Sequence, residues 1–255
     1  MIWILFLAIF CGSCVADVEL IAHRGASVEA PENTMSAFQK ALDIGVSCIE
    51  CDVHLTKDNI PVISHDGSIP YDRTQSTTAT IPTLLYSQLV LYDVGKWFHE
   101  TFVNERVPTL EQLLKMQRGK TALMLELKKG QNSAEKLVSS VLEVLQKNGA
   151  KNVYIGSFDP DIVRALQEQK VPYSIQGICS TYDNFYERFP NSPQHVVMCA
   201  DYVTKEVVEA FHKEGKKVWT YTVDSPRKAQ RLREYGIDGI ITNDPRVLQE
   251  VFRNR

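Results

Sequence analysis

From Ala122 onward the chain repeats one unit: an apolar run of four to six residues, then an amphipathic stretch of helical period. The runs are Ala122–Leu127, Val153–Ser157, Tyr173–Ile178, His195–Ala200, Val218–Val223 and Gly239–Thr242. Ser133–Asn148, Pro160–Gln169, Lys205–Glu214, Pro226–Tyr235 and Pro245–Phe252 read as helices, and in the first of them Leu137, Val141, Leu142 and Leu145 share one face. Two earlier runs, Val18–Ala22 and Val46–Val53, flank a helix bearing Met35, Phe38 and Leu42, with Asn33 or Thr34 as its cap and Gly45 as its stop. Eight apolar strands alternating with helices predict an α/β protein, a closed parallel TIM-type (β/α)8 barrel. A chain of 255 residues is an ordinary length for one. An open doubly wound sheet would carry a glycine-rich phosphate loop after its first strand, and none follows here.

The rhythm loosens between about residues 67 and 119, where polar DRTQSTTATIPTL and then GKWFHETFVNERVP lack a period. This predicts a small inserted subdomain lying over one end of the barrel. At its close, Thr109 and Gln112 have capping-box spacing and open a helix with Leu110, Leu113 and Leu114.

The first 16 residues, MIWILFLAIFCGSCVA, carry no charged side chain and read as a secretory signal. Their apolar run is too short to span a bilayer comfortably, and Cys14 and Ala16 are small residues just before a cut at Asp17. Cleavage is the first expectation, lipidation at Cys11 or Cys14 the second, a retained anchor the third. The barrel domain then covers residues 17–255, and the protein is expected to be secreted or periplasmic. Cys48 and Cys51 fall on opposite faces of a regular strand and read as core. Cys179 and Cys199, near two strand ends, are either bridged or free thiols. No paired CxxC motif suggests a zinc-thiolate site. A net charge of −3, with no basic patch interleaved with aromatics, gives no reason to expect nucleic acid.

Charged residues sit where a structural strand would not place them. Glu50 and Asp52 are two apart in an apolar run and so point the same way. Buried together, they resist desolvation unless a cation or basic group lies between them. Glu126 and Lys128 repeat that spacing. His23-Arg24 ends the first run, and His65-Asp66 ends a short added strand at Pro61–Ser64. Catalytic groups in such barrels come from C-terminal strand ends, and these residues, with Trp219, fall near them. His54 shares the Glu50–Asp52 face if the strand continues. It is either a further ligand or, the preferred expectation, a solvated position past the strand end. His99, His195 and His212 carry no motif and read as structural.

These blocks resemble the glycerophosphodiester phosphodiesterases. IAHRGASVEAPENTMSAF is similar to that family's opening motif, with its HRG and PENT, and IECDVHLTKDNIPVISHDGSI to its second, with the E-x-D pair and the HD. DRTQSTTATIPTL, VPTLEQLL, MLELKKG, VWTYTVD and GIDGIITNDP match later blocks in order, so the resemblance runs from about Glu19 to the end. It implies the barrel with its insertion, and hydrolysis of small-molecule glycerophosphodiesters to sn-glycerol 3-phosphate and an alcohol. It implies one divalent cation, Mg²⁺ or Ca²⁺, held by Glu50, Asp52 and Glu126, with His23 as catalytic base and His65 as acid. Two departures, Cys51 where a large apolar residue is common and Asp224 where an asparagine often lies nearby, remove no catalytic group.

Cleaving a phosphodiester requires neutralised non-bridging oxygens, an activated nucleophile and a protonated leaving group. Three carboxylates suit a hard cation, and two histidines suit acid and base work near neutral pH. The hydroxyl beside the phosphate is expected to attack first, giving a cyclic phosphate that water opens; direct attack by water is the alternative. Arg24 and Lys128 are candidates to bind phosphate, or else they pair with the carboxylates. Glu32 supports the site by hydrogen bonding or favours a helix N-terminus. Trp219 packs against glycerol or headgroup unless it is core, and Trp97 and Phe98 line the mouth or form a small apolar cluster. Two readings compete: a lysophospholipase D or sphingomyelinase D-like enzyme in peripheral contact with membrane, and a non-catalytic binding module.

Overall fold

In a computed structural model, residues 18–70, 78–117 and 121–253 are described. The expected leader, residues 1–16, lies outside them. The strands are β1 (Glu19–Ala22), β2 (Cys48–Leu55), β3 (Pro61–Ile63), β4 (Ser68–Pro70), β5 (Thr78–Thr80), β6 (Ala122–Leu127), β7 (Val153–Ser157), β8 (Ser174–Cys179), β9 (His195–Cys199), β10 (Lys217–Tyr221) and β11 (Gly239–Thr242). The helices are α1 (Met35–Ile44), α2 (Tyr86–Leu89), α3 (Leu110–Gln117), α4 (Ala134–Lys147), α5 (Pro160–Glu168), α6 (Tyr182–Arg188), α7 (Lys205–Lys213), α8 (Pro226–Glu234) and α9 (Pro245–Arg253). Eight strands pair in parallel in the order β1-β2-β6-β7-β8-β9-β10-β11. Because β1 also pairs with β11, the sheet closes and these strands have no free edge. The predicted barrel is observed, and β6, β7 and β11 keep their predicted bounds.

Period-two alternation sorts strand residues into two cores. Odd positions of β2 (Ile49, Cys51, Val53, Leu55) and of β6 (Leu123, Leu125, Leu127) face outward to the helices. Cys48 and Met124 face inward, where Ile21, Ile178, Val197, Trp219 and Ile241 fill the barrel. The two-fold spacing then carries Glu50 and Asp52 up the inner wall above Cys48, and Glu126 and Lys128 above Met124. Cys48 and Cys51 are thus in different cores, and Cys179 and Cys199 are free thiols.

The excursion after β2 carries an antiparallel β4–β5 pair and its own small core of Val62, Ile69, Ile81, Leu89 and Val107. The helix α3 that ends it belongs to the barrel, since Leu110, Leu113 and Leu114 join the main core. Two short helices go unread in the sequence, α2 and α6: α6 is only seven residues, its N-cap Thr181 accepts from Asn184 N–H, and Phe185 buries against Phe189 and Phe211.

Candidate active site

Backbone conformation places the first group. Arg24 and Gly25 both take positive φ, 57° and 84°. A Cβ at Gly25 would come within 2.6 Å of the Ala37 carbonyl carbon, so only glycine lets the turn press onto α1. The turn aims Arg24 N–H at Glu50 Oε2 (2.8 Å) and leaves His23 at the end of β1. On α1 the cap is Thr34, whose hydroxyl accepts from Ala37 N–H. Asn33, also at positive φ (57°), is thereby free to donate from Nδ2 to Asp52 Oδ2 (2.9 Å) and to accept from Asp52 N–H (3.3 Å).

Register brings the carboxylates together. Asp52 lies beside Glu126, and Glu50 beside Met124, across the β2–β6 ladder. One oxygen from each of Glu50, Asp52 and Glu126 lies within 4.8 Å of the others. Burial, with repulsion from Asp52 and Glu126, holds the Glu50 carboxyl well above its usual value. Burial and Asp52 push Glu126 up to about 7. Burial alone would raise Asp52 as well, but the Lys128 ammonium (3.1 Å) and Arg24 guanidinium (3.4 Å) outweigh it and lower Asp52. Lys128 also ion-pairs with Glu126. Two carboxyls that resist ionisation despite two nearby bases define a place where more positive charge is favourable. An all-oxygen donor set of this kind fits Mg²⁺ or Ca²⁺.

The two histidines are each tied at Nδ1. His23 Nδ1 meets Asn243 Oδ1 at 2.6 Å, while Asn243 Nδ2 donates to Asp224 Oδ2 at 2.8 Å. A carboxylate only accepts, so Asp224 sets which way the Asn243 amide faces. His23 Nδ1 then carries the proton and Nε2 the lone pair. Burial and the Arg24 charge lower the His23 proton affinity, so the ring is neutral at pH 7. His65 Nδ1 lies 2.9 Å from Asp66 Oδ1. His65 also lines a cavity of about 520 Å³ that Glu32, Asn33 and Asp66 share with Asp93, Lys96 and Trp97 of the excursion. Glu32 takes both its oxygens to Arg24 Nη1, at 3.0 Å each. Asn33, Asn243 and Asp224 are site residues that sequence reasoning misses. The PENT and TNDP blocks hold the first two and were the available signal.

Two expectations need correction. Trp219 does not reach the mouth: it is fully buried in mid-strand, paired in register with Val197 and Gly239. A Cβ at Gly239 would lie 2.4 Å from the indole, so that glycine exists to seat the ring in the core. Two residues further along, on the same face, Tyr221 donates its hydroxyl to Cys179 O (3.1 Å). His54 is not solvated. Antiparallel pairing with β3 (His54 beside Val62) extends β2 to Leu55, and His54 is only 4% exposed. The two readings of the Trp97-Phe98 pair divide between the residues. Trp97 lines the cavity, whereas Phe98 packs edge-on against Trp97 and Phe102. His195 is structural, packed on Trp219 and within 3.3 Å of Gln176.

Comparison with known proteins agrees with this geometry. Residues 23–247 match the sequence model of the Glycerophosphoryl diester phosphodiesterase family. Bacillus subtilis YhdW is 34% identical over 89% of this chain and 94% of its own length. The glycerophosphodiester phosphodiesterase of Caldanaerobacter subterraneus subsp. tengcongensis is 31% identical over 92% and 97%. A phosphodiesterase of Oleispira antarctica, solved with the product sn-glycerol-3-phosphate, superposes with a TM-score of 0.85 at 26% identity, covering 92% of this chain and 97% of that one. A barrel whose inner wall gathers three carboxylates beside an HRG turn, and whose sequence matches one family from that turn to its last helix, belongs to the glycerophosphoryl diester phosphodiesterases.

Proposed function

We propose that this enzyme hydrolyses glycerophosphodiesters to sn-glycerol 3-phosphate and an alcohol, with Glu50, Asp52 and Glu126 holding one divalent cation and His23 and His65 as base and acid. The observation that carries the reading is the convergence of three carboxylate oxygens, from buried Glu50 and Asp52 and half-buried Glu126, within 4.8 Å. When bound, the cation supplies Lewis-acid charge against the phosphoryl oxygens. Lys128 and Arg24, each paired with Asp52, add positive charge beside the carboxylates. His23, neutral and with its Nε2 lone pair set by the Asn243–Asp224 pair, accepts the proton of the attacking hydroxyl. His65, tied at Nδ1 to Asp66, donates from Nε2 to the departing alkoxide, which the adjoining cavity receives as an alcohol. The test is release of glycerol 3-phosphate from glycerophosphocholine, in EDTA and then with Mg²⁺ or Ca²⁺ restored. Release that EDTA abolishes and a cation restores supports the reading; no release under any condition rejects it.

One observation favours a second reading, action on lipid at a membrane surface. Among the described residues the exposed large hydrophobics are Val28, Leu85, Leu91, Trp97, Val103, Tyr202 and Val247. Four of them, Leu85, Leu91, Trp97 and Val103, lie in the excursion after β2, and Trp97 lines the cavity beside His65. Among the described residues no helix is long and apolar enough to cross a membrane. A leader at residues 1–16 would deliver the enzyme outside the cytoplasm. Turnover of lysophosphatidylcholine faster than glycerophosphocholine would favour this reading over the first.

A further inference from the structure

We infer that His54 is a positioning residue for His65, acting through the His65 main-chain carbonyl. The inference rests on the phosphodiesterase reading above, in which His65 is the acid. His54 stands on the inner face of β2, two residues beyond Asp52, and is 4% exposed. Its Nε2 lies 3.2 Å from His65 O. A carbonyl only accepts, so Nε2 carries the proton and donates it.

Glycine backbone lies close to the ring on two chain segments. A Cβ at Gly67 would lie 3.5 Å from His54 Cε1, and one at Gly130 would lie 3.8 Å from Nδ1. Gly67 is two residues beyond His65, and Gly130 two beyond Lys128. The imidazole therefore fills the space between the segment that brings the acid and the turn after the Lys128 arm. Just upstream, Ser64 N–H donates to Asp52 O (3.0 Å), and the His54 bond extends that attachment to His65 itself. The side-chain tether of His65 is the weaker of its two holds: His65 is 37% and Asp66 75% exposed, so water competes for their bond. The His54 end of the other bond is buried, so water competes for it less, and that bond sets where the His65 backbone stands. An aliphatic side chain at position 54 would fill the same space without donating.

The test separates placement of the acid from general damage by changing the leaving group. Wild type, His54→Leu and His54→Gln are assayed on glycerophosphocholine and on glycerophospho-p-nitrophenol. The choline alkoxide needs a proton from His65 as its P–O bond breaks; p-nitrophenolate leaves without one. His54→Leu should lower kcat on glycerophosphocholine by ~10- to 100-fold, the scale of a misplaced acid. On the nitrophenyl ester it should stay within about 3-fold of wild type, with KM for both substrates unchanged, because only proton delivery is impaired. His54→Gln, whose amide N–H can reach the carbonyl, should recover most of the loss. Equal losses on both substrates, no loss on either, or Gln no better than Leu would each overturn the role. If His54→Leu does not fold, His54→Asn, too short to reach His65 O, replaces it. If neither folds, His54 is a structural residue and the inference fails. A wild type inactive on both substrates would instead overturn the phosphodiesterase reading, and this inference with it.

Discussion

In metal-free solution the Glu126→Gln protein should be more stable than wild type above neutrality and no more stable near pH 4.5. Burial and the Asp52 carboxylate carry Glu126 from 4.5 to about 7, even with Lys128 paired to it. A folded-state value above the unfolded one means that the folded chain holds this proton more tightly. Its stabilising effect is complete below 4.5 and is lost as pH rises through about 7. Each tenfold change in proton affinity is worth about 1.4 kcal/mol, so ionising Glu126 in the folded chain costs ~3 kcal/mol. Glutamine keeps the shape and removes the charge. Lys128 retains Asp52 as a partner at 3.1 Å, and Glu50, which feels the same Glu126 charge, is relieved too. For a chain of this size, ~3 kcal/mol corresponds to roughly 6–12 °C in Tm. The assay is thermal melting of both proteins in EDTA at about pH 4.5, 7 and 8.5. With excess Mg²⁺ or Ca²⁺ the order should reverse, because a ligand of the folded state stabilises the protein that binds it better. A wild type more stable than the variant at pH 8.5 in EDTA would make the Glu126–Lys128 pair a net stabiliser and refute the view of the cluster as a cation-seeking site.

His23→Ala and His65→Ala should each lower kcat by roughly 10²-fold or more while the far-ultraviolet circular dichroism is unchanged, as loss of an acid or base does. Unchanged turnover in either folded variant would reject that residue's role. Because burial and Arg24 lower the His23 proton affinity, the acid limb of kcat/KM should lie below pH 6.5, with activity lost as pH falls through it. A limb above 6.5 would remove His23 as the base. Asp224→Asn, which frees the Asn243 amide to turn over, should lower kcat/KM by about 10-fold and mix the His23 tautomers in ¹⁵N NMR. A single, unchanged tautomer would show that Asp224 sets nothing. The mature exported chain should begin at Asp17 by intact mass, and a mass that includes residues 1–16 would overturn the cleavage expectation.

Strand periodicity in the sequence carried the architecture a long way. Apolar runs of strand length located all eight barrel strands, and alternation at period two put Glu50 and Asp52 on one wall and Glu126 and Lys128 on another. These are local properties of a pleated strand, readable without knowing what lies opposite. What the alternation does not contain is depth and partnership. Trp219 and Tyr221 share a face, but only the register against Gly239 puts the first in the core and the second two positions nearer the mouth. His54 is buried because β3 folds back on β2, and no feature of its own strand announces that partner. Asn243 reaches His23 across 220 positions of sequence, and Asn33 reaches Asp52 across 19. Which residues face inward is legible along the chain, because it follows from backbone geometry one residue at a time. Only the closed barrel decided which of those residues meet, because contacts between distant strands depend on register and closure, which are properties of the whole sheet.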